Sequence, residues 1–276
     1  MRIAVLSGKG GTGKTTVSAS LATSVSSCQY IDFDVEEPNG AIFLTPEIQE
    51  SSPVKVLVPE ADITKCNACG YCSKACQFNA IAVVKDHVLV FPEICHHCGA
   101  CVIACPNDAI SEVERIIGVV EANGDNTFLQ GRLNVGEPIS IPIISALKKR
   151  MKKVLPVILD CSPGASCTVI QSIEECDYCI LVTEPNPFGL HDLKIATQLV
   201  RKMEIPFGIV LNKASDSSRL IHDFCENEGI ELLMEIPFSR EIAESYSKGI
   251  LPVKHNDFWK EQFEELYEKI ERSASK

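Results

Sequence analysis

Eight of the fourteen cysteines in this 276-residue chain form two runs with the same spacing. Each run reads C-x2-C-x2-C-x3-C. Three thiolates separated by two-residue gaps can hold three corners of a four-iron four-sulfur cluster, and the wider third gap turns the fourth thiolate toward a second cluster. The spacing therefore predicts two clusters. One would be held by Cys66, Cys69, Cys72 and Cys105, and the other by Cys95, Cys98, Cys101 and Cys76.

Zinc sites and disulfides explain these cysteines less well. Structural zinc sites normally take ligands in two separated pairs, which leaves the third cysteine of each run unexplained. Disulfides are typical of secreted chains, and the absence of a secretory leader leads us to expect a reducing cytoplasm. Within the second run, His96 and His97 could tune a cluster potential or donate a proton, or they could simply be solvated loop residues.

A glycine-rich motif near the amino terminus could bind nucleotide phosphates. After apolar residues 3–6, the segment from Gly8 matches G-x-x-x-x-G-K-[ST] and leads into a helix predicted to begin near Lys14. In such a loop, backbone N–H groups surround the phosphates, the lysine contacts the outer phosphates and the hydroxyl residue holds Mg²⁺. A merely flexible glycine turn would explain neither the Lys-Thr pair nor the preceding strand. We predict ATP contacts from Gly10, Gly11, Thr12, Gly13, Lys14, Thr15 and Thr16, with Thr15 on Mg²⁺.

A second lysine at the start of this loop narrows the class. The sequence KGGTGKT, which begins at Lys9, resembles the deviant phosphate loop of the superfamily of septum-site and chromosome-partition ATPases, nitrogenase iron protein and arsenite-pump ATPase. The resemblance implies that Lys9 acts in catalysis by reaching the nucleotide of a second subunit. It also implies that the working form is an ATP-dependent homodimer.

Further motifs of that superfamily follow in order. In DFDVEEPN, Asp34 matches the switch aspartate that orients the attacking water and contributes to the Mg²⁺ site, and Asp32 would support it. The run VLPVILD ends at Asp160, the Walker B position, where a carboxylate binds the Mg²⁺ hydration shell. In LNK, Asn212 matches the asparagine that contacts the adenine edge, and Pro237 matches a backbone contact to the nucleotide. Each of these aspartates, taken alone, could equally be a helix cap or a turn residue.

Over essentially its whole length the chain is similar to MinD-superfamily ATPases with an inserted ferredoxin domain. Short apolar runs at 3–6, 154–159, 178–182, 207–211 and 231–236 predict buried parallel strands. We therefore expect an α/β fold: a doubly wound, mostly parallel P-loop NTPase sheet with an inserted α+β bacterial ferredoxin-like domain. The expected ATPase domain comprises residues 1–59 and 115–276, and the insert comprises residues 60–114. An Asn-Gly-Asp turn after the insert predicts a β-hairpin.

Six cysteines remain outside the two runs: Cys28, Cys161, Cys167, Cys176, Cys179 and Cys225. Most are expected to be small buried apolar residues. Cys161 and Cys167 flank the predicted second switch, Ser162 to Gly164. In nitrogenase iron protein, switch-linked cysteines of two subunits share one cluster, so we also consider a metal site formed by Cys161 and Cys167 in the dimer.

Composition limits the partners. The formal net charge of -11 argues against nucleic acid, whose binding requires a basic surface. No apolar run is long enough to span a bilayer, and the last helix is expected to pack on the core.

Three functions fit the motifs. The first is an Mg²⁺-dependent ATPase that assists assembly or delivery of a metallocluster to an unknown client. The others are an ATP-gated low-potential electron donor and an ATP-dependent positioning switch.

Overall fold

A nine-stranded sheet organises the computed structural model, which describes residues 1–274. The strands are β1 (Arg2–Leu6), β2 (Gln29–Asp32), β3 (Ile48–Ala61), β4 (Ile81–Val84), β5 (His87–Val90), β6 (Ile110–Asn123), β7 (Phe128–Leu133), β8 (Val157–Asp160), β9 (Tyr178–Thr183), β10 (Phe207–Ala214) and β11 (Leu232–Pro237). The main sheet has the order β11-β10-β9-β1-β8-β2-β7-β6-β3, and β4 pairs with β5 separately.

Ten α-helices lie within these described residues. They are α1 (Lys14–Ser24), α2 (Gly40–Leu44), α3 (Tyr71–Ala75), α4 (Ala100–Ile103), α5 (Ile141–Lys148), α6 (Cys167–Ile173), α7 (Pro187–Lys202), α8 (Arg219–Glu228), α9 (Arg240–Ser247) and α10 (Asp257–Ala274). Short 3₁₀ helices occupy Pro92–Ile94, Asp216–Ser218 and Pro252–Lys254. Across residues 1–274, no helix is both long and apolar enough to cross a membrane.

Helices cover both faces of the parallel strands. Along β1, Ala4 and Leu6 pack into one core, whereas Ile3 and Val5 pack into the other, because side chains alternate between the faces of a strand. Residues of α5, α6, α7 and α8 complete the first core, and residues of α1 and α10 complete the second. The doubly wound, mostly parallel fold predicted from the apolar runs is confirmed.

The last helix packs on the core, as predicted. On α10, Phe263, Leu266 and Ile270 recur at helical spacing and are buried in the second core. Phe258, which the same pattern also placed on the apolar face, is 57% exposed. It lies at the first turn, where the helix begins beyond the edge of the core.

Two long antiparallel strands lead from the main sheet to the cysteine runs. β3 and β6 pair from Ile48 with Asn123 to Ala61 with Ile110. β6 also pairs antiparallel with β7 through the predicted hairpin turn. The pair of strands β3 and β6, which we call the arm, is therefore part of the main sheet. The expected domain boundaries at residues 60 and 114 fall inside the two strands. The cysteine-rich segment is therefore joined to the ATPase sheet through continuous strand pairing.

The cysteine-rich segment repeats itself at an offset of 29 positions, from Cys66 to Cys95. Each half contains a loop, a short helix (α3 or α4) that follows a left-handed glycine, and a strand. The left-handed residues occur at matched places: Ala68 and His97, Gly70 and Gly99, Asn79 and Asp108. The two halves share one small core, formed by the matched pairs Cys72 and Cys101, Ile81 and Ile110. This internal symmetry is what two similar cluster-binding halves would require.

Candidate nucleotide and iron–sulfur sites

A cleft of about 460 Å³ opens where the parallel strands end. The carboxyl end of β1 leads into the phosphate loop, and β2 and β8 end beside it at Asp32 and Asp160. Open parallel sheets bind ligands at this edge, and the volume is in the usual range for a small-molecule site. The predicted nucleotide residues that line the cleft are Gly10, Gly11, Gly13, Lys14, Thr15, Thr16, Asp34, Asn212 and Pro237. Thr12 and Asp160 are buried at its base.

Lys14 is the centre of a buried ionic cluster. Its Nζ atom donates to Asp160 Oδ1 at 2.8 Å and lies 3.6 Å from Asp34 Oδ2. Burial alone would lower the pKa of Lys14, but the negative charges of Asp160, Asp34 and Asp32 outweigh it and raise the pKa. Lys14 is therefore a fixed cation beside two of the predicted catalytic carboxylates, where bound phosphates would compete with the carboxylates for its ammonium group.

Asp32 shapes the loop that presents Asp34. Its carboxylate accepts backbone N–H bonds from Asp34 at 3.0 Å, Asn39 at 3.1 Å and Gly40 at 2.9 Å. Burial and the nearby charge of Asp160 raise the pKa of Asp32 well above its ordinary value. Burial also raises the pKa of Asp34, against the opposing effect of Lys14. The supporting role predicted for Asp32 thus has a physical basis in three loop hydrogen bonds.

Two polar residues at this site escaped the sequence analysis. The Tyr30 hydroxyl donates to Asp160 Oδ2 at 3.0 Å and is buried. Tyr30 lies two positions before Asp32 on β2, so both side chains emerge on the same face of the sheet. That spacing is the sequence signal that could have identified Tyr30 as a residue of this site. The Thr15 hydroxyl donates to Asn39 Oδ1 at 3.2 Å, which places Asn39 next to the predicted Mg²⁺ hydroxyl.

Asn212 contacts the phosphate loop directly. Its Nδ2 donates to the Thr12 carbonyl at 2.7 Å, and its Oδ1 accepts from the Lys213 backbone N–H at 3.0 Å. A Cβ atom on Gly13, whose φ is +91°, would overlap the Asn212 amide. The amide therefore supports the loop backbone in this structure, and its predicted contact with the adenine edge remains a prediction.

Lys9 is held by a carboxylate that the sequence analysis did not single out. Its Nζ lies 3.6 Å from Glu184 Oε2, and Lys213 pairs with the other carboxylate oxygen of Glu184. Burial works against ionisation of Glu184, but its contacts with Lys213 and Lys9 lower its pKa. The Lys9 side chain is 35% exposed, so it remains partly accessible to solvent despite its contact with Glu184.

Electrostatic interactions join three thiols of the first predicted group and all four of the second, and their binding of iron stays a prediction. Cys72 interacts electrostatically with Cys105 and Cys66. Cys95 interacts with Cys98 and Cys76, and Cys101 with Cys95 and Cys98. A cavity in the second half is lined by all four predicted ligands of that cluster, Cys76, Cys95, Cys98 and Cys101. Cys69 and Cys98 are exposed, so each group has one thiol at the surface.

Backbone N–H groups point at four of these sulfur atoms in symmetric pairs. The N–H groups of Ala68 and His97 each donate to the cysteine two positions earlier at 3.4 Å. Those of Ala80 and Ala109 donate to Cys76 at 3.3 Å and Cys105 at 3.2 Å. Such donors favour the thiolate form that binds iron, and backbone N–H groups lower the pKa of Cys105 against the effect of desolvation. The residues present therefore fit iron–sulfur clusters, which would supply one-electron chemistry.

The two histidines of the second run differ sharply. The His96 ring is exposed and stacks on Phe78, with 3.5 Å between ring centroids. Both ring nitrogens of His97 are buried and have no hydrogen-bond partner among the described residues.

Within residues 1–274, no group of three or more His, Cys, Asp or Glu side chains is arranged to hold a single metal ion. The predicted sites are those of multi-iron clusters, whose ligands stand farther apart than those of one ion.

The structure disfavours the metal site considered for Cys161 and Cys167. Cys161 is fully buried in the first core with Cys179, whereas Cys167 is exposed at the first residue of α6. Burial raises the pKa of the Cys161 thiol well above its ordinary value. Because a shared site requires an accessible thiolate, Cys161 would first have to leave the core. The burial expected for most of the other cysteines holds for Cys179 and Cys225, while Cys28 and Cys176 are partly buried.

Known proteins resemble this chain both in its cysteine-rich segment and over nearly its whole length. Residues 65–110 match the 4Fe-4S dicluster domain family. The uncharacterized protein MJ0579 of Methanocaldococcus jannaschii is 32% identical over 265 residues, which cover 93% of each chain. An iron–sulfur cluster carrier protein of Pyrococcus abyssi is 26% identical over 93% of this chain and 80% of its own length. Among solved structures, the septum site-determining protein MinD of Pyrococcus horikoshii, complexed with Mg-ADP, has a TM-score of 0.59 at 18% identity, covering 98% of this chain and 95% of that one.

The fold and the phosphate-loop cleft define a P-loop ATPase of the MinD type. The chain belongs to the same family as the Methanocaldococcus protein, and it combines the fold of MinD-type ATPases with a 4Fe-4S dicluster domain carried between β3 and β6.

Proposed function

We propose that this protein binds and hydrolyses ATP and uses its nucleotide state to control two four-iron four-sulfur clusters, in the assembly or delivery of a metallocluster to a client protein. The observation that carries the proposal is the connecting segment, residues 133–140, which contacts the loop after Asp34, the helix α6 and the strand β6 that follows the cysteine-rich segment. The name of the Pyrococcus abyssi relative, an iron–sulfur cluster carrier protein, supports the choice of cluster delivery.

At its amino-terminal end, the connecting segment bonds to the loop that carries the switch aspartate Asp34 and to the strand β6. The Leu133 N–H donates to the carbonyl of Val35, the residue after Asp34, at 2.8 Å. The Asn134 N–H donates to the Ile117 carbonyl on β6 at 2.9 Å. A movement of the Asp34 loop when phosphate binds would therefore strain contacts that reach the cluster-bearing strands.

At its carboxyl-terminal end, the segment contacts the arm again and the helix after the second switch. Glu137 forms a two-pronged ion pair with Arg115 of β6, at 2.7 Å for each contact. The Ser140 hydroxyl lies 3.1 Å from the Thr168 hydroxyl on α6. The loop after Asp34, the helix that follows the second switch and the strand β6 thus all contact one short stretch of chain, and these contacts are the proposed physical basis for coupling.

The cleft residues supply the roles that hydrolysis needs. Lys14 would exchange its contact with Asp160 for the outer phosphates and stabilise their charge. The released Asp160 carboxylate and the Thr15 hydroxyl would then be available to the Mg²⁺ hydration shell. Asp34 would orient the attacking water. Lys9, which is partly exposed, would reach the nucleotide of a second copy in an ATP-dependent homodimer.

Cluster transfer tests this proposal. The protein is loaded with ⁵⁵Fe, mixed anaerobically with an apo-acceptor that takes a four-iron cluster, and separated at intervals with and without Mg-ATP. Transfer is expected to depend on Mg-ATP in the native protein and to lose that dependence in Lys14→Met. The matched control is Lys260→Met, a half-exposed lysine on α10. Equal transfer with and without Mg-ATP in the native protein would refute the proposed delivery role.

An ATP-gated electron donor is the second candidate, and the N–H···S bonds favour it. Four backbone donors on four thiolates hold the ligand loops rigidly, which suits clusters that stay in place while electrons pass. In that case the iron would remain bound through the transfer assay, and Mg-ATP would change the rate of electron delivery to an acceptor.

A further inference from the structure

The two cluster-binding halves carry different side chains at several matched positions, and one such difference is at positions 68 and 97. Ala68 and His97 occupy equivalent positions, share a φ of 56° and donate equivalent N–H bonds to Cys66 and Cys95. The backbone is therefore the same in both loops. The difference is the imidazole, which only the second half carries.

The two ring nitrogens of His97 are buried beside the second group of cysteines. His97 lines the cavity formed by Cys76, Cys95, Cys98 and Cys101, and both ring nitrogens are inaccessible to solvent. The Leu57 backbone is a polar neighbour but does not reach hydrogen-bond geometry, and the Arg115–Glu137 pair is also near. Glu112 and His96 also line the cavity.

An unpartnered buried nitrogen is costly, because it has lost its hydrogen bonds to water without gaining others. A cluster held by the four cysteines would place sulfur acceptors in the cavity that the ring lines. A neutral imidazole always carries one N–H donor, so this requirement can be met without any change in protonation. The equivalent position of the first half offers no such donor, because Ala68 has no polar side-chain atom.

We propose that His97 donates a hydrogen bond to the cluster held by Cys76, Cys95, Cys98 and Cys101, and so gives it a higher reduction potential than the cluster beside Ala68. The inference rests on the two-cluster part of the proposed function. A donor to cluster sulfur stabilises the additional negative charge of the reduced state, and hydrogen bonds to sulfur are among the factors that set cluster potentials. The two clusters are therefore unequal, and the first electron resides on the cluster beside His97.

Anaerobic potentiometric titration followed by electron paramagnetic resonance tests the assignment without any nucleotide. His97→Phe keeps a ring but removes the donor, and His97→Gln keeps a donor. The matched control is His96→Phe, next door but exposed. Iron and sulfide content establish that each variant carries both clusters. If His97→Phe does not load fully, His97→Ala takes its place with the same expected result.

In His97→Phe, the cluster of higher potential is expected to shift downward by about 59 mV, equivalent to a tenfold lower ratio of reduced to oxidised cluster at a fixed potential. The other cluster stays unchanged, His97→Gln keeps at least part of the native value, and His96→Phe titrates as the native protein does. Equal shifts in both clusters, no shift in either, or the same shift in His96→Phe would overturn the assignment. Native protein with iron for only one cluster would overturn it too. An absence of ATP-dependent cluster transfer leaves it intact, so this test and that of the proposed function fail separately.

Discussion

Breaking the ion pair between Arg115 and Glu137 is expected to loosen the connecting segment. The Glu137 side chain is only 5% exposed and that of Arg115 is 23% exposed, and the two contacts are both 2.7 Å long. Glu137→Gln removes the charge with little change of shape. Removing one partner of a fully buried pair costs about 3–5 kcal/mol, and the partial exposure of Arg115 reduces this to about 2 kcal/mol.

Native-state hydrogen exchange measured by mass spectrometry reports this cost locally, without requiring reversible unfolding. Amide exchange in the peptide that covers residues 133–140 is expected to accelerate roughly 30-fold in Glu137→Gln, the equivalent of about 2 kcal/mol in opening free energy. Peptides from β1 and β8 should be unaffected.

Glu114→Gln is the matched control. Glu114 is next to Arg115 on β6 and pairs with Lys55 of β3 at the same 2.7 Å, but the two side chains are 63% and 48% exposed. Pairs of this kind contribute about 0–1 kcal/mol, so exchange should change by less than about fivefold. The reasoning would be refuted by equal effects of the two variants, or by unchanged exchange of the connecting segment in Glu137→Gln.

Three further predictions follow from single contacts. Tyr30→Phe removes the hydroxyl bond to Asp160 and is expected to lower kcat for ATP hydrolysis about tenfold with little change in KM, in steady-state assays at saturating Mg²⁺; native kinetics would contradict it. Gly13→Ala should lower the melting temperature, and less so in an Asn212→Ala background, where the added Cβ meets no amide; equal losses in both backgrounds would argue against the overlap. Burial raises the pKa of the Cys176 thiol to about 12 from 9.0. Alkylation of Cys176 at pH 8.5 should therefore be roughly a thousandfold slower in the folded protein than in the unfolded chain. Equal alkylation rates in the folded and unfolded states would contradict this. Because the folded-state pKa is the higher one, this thiol stabilises the fold below pH 9, and that contribution is lost as the pH rises toward 12.

The features that sequence predicted well are those that depend on local pattern. The phosphate loop is defined by consecutive residues, and the helix at Lys14 begins where the motif places it. The buried parallel strands are short apolar runs, which leave a clear signal. The two cysteine groups were assigned from spacing alone. In the structure, three thiols of the first group and all four of the second interact electrostatically, and the ligand assignment stays a prediction.

The features that sequence missed depend on long-range pairing. β3 and β6 are long strands with mixed polar and apolar residues, so their pattern did not reveal that they continue through residues 60 and 114. The contact of Tyr30 with Asp160 requires β2 and β8 to be neighbours, which no local motif specifies. The position of Asn212 on the Thr12 carbonyl likewise depends on how β10 ends near the loop. Cys161 looked like a switch residue because of its neighbours in sequence, yet its side chain points into the core.

The central claim is that the nucleotide site and the clusters are coupled through the connecting segment. The most direct test is the electron paramagnetic resonance spectrum of anaerobically reduced protein, recorded through a potential titration with and without Mg-ATP. Mg-ATP is expected to change the midpoint potential or line shape of at least one cluster in the native protein. This change should disappear in Lys14→Met and weaken in Glu137→Gln. Two clusters with spectra and potentials that are indifferent to Mg-ATP would contradict the central claim.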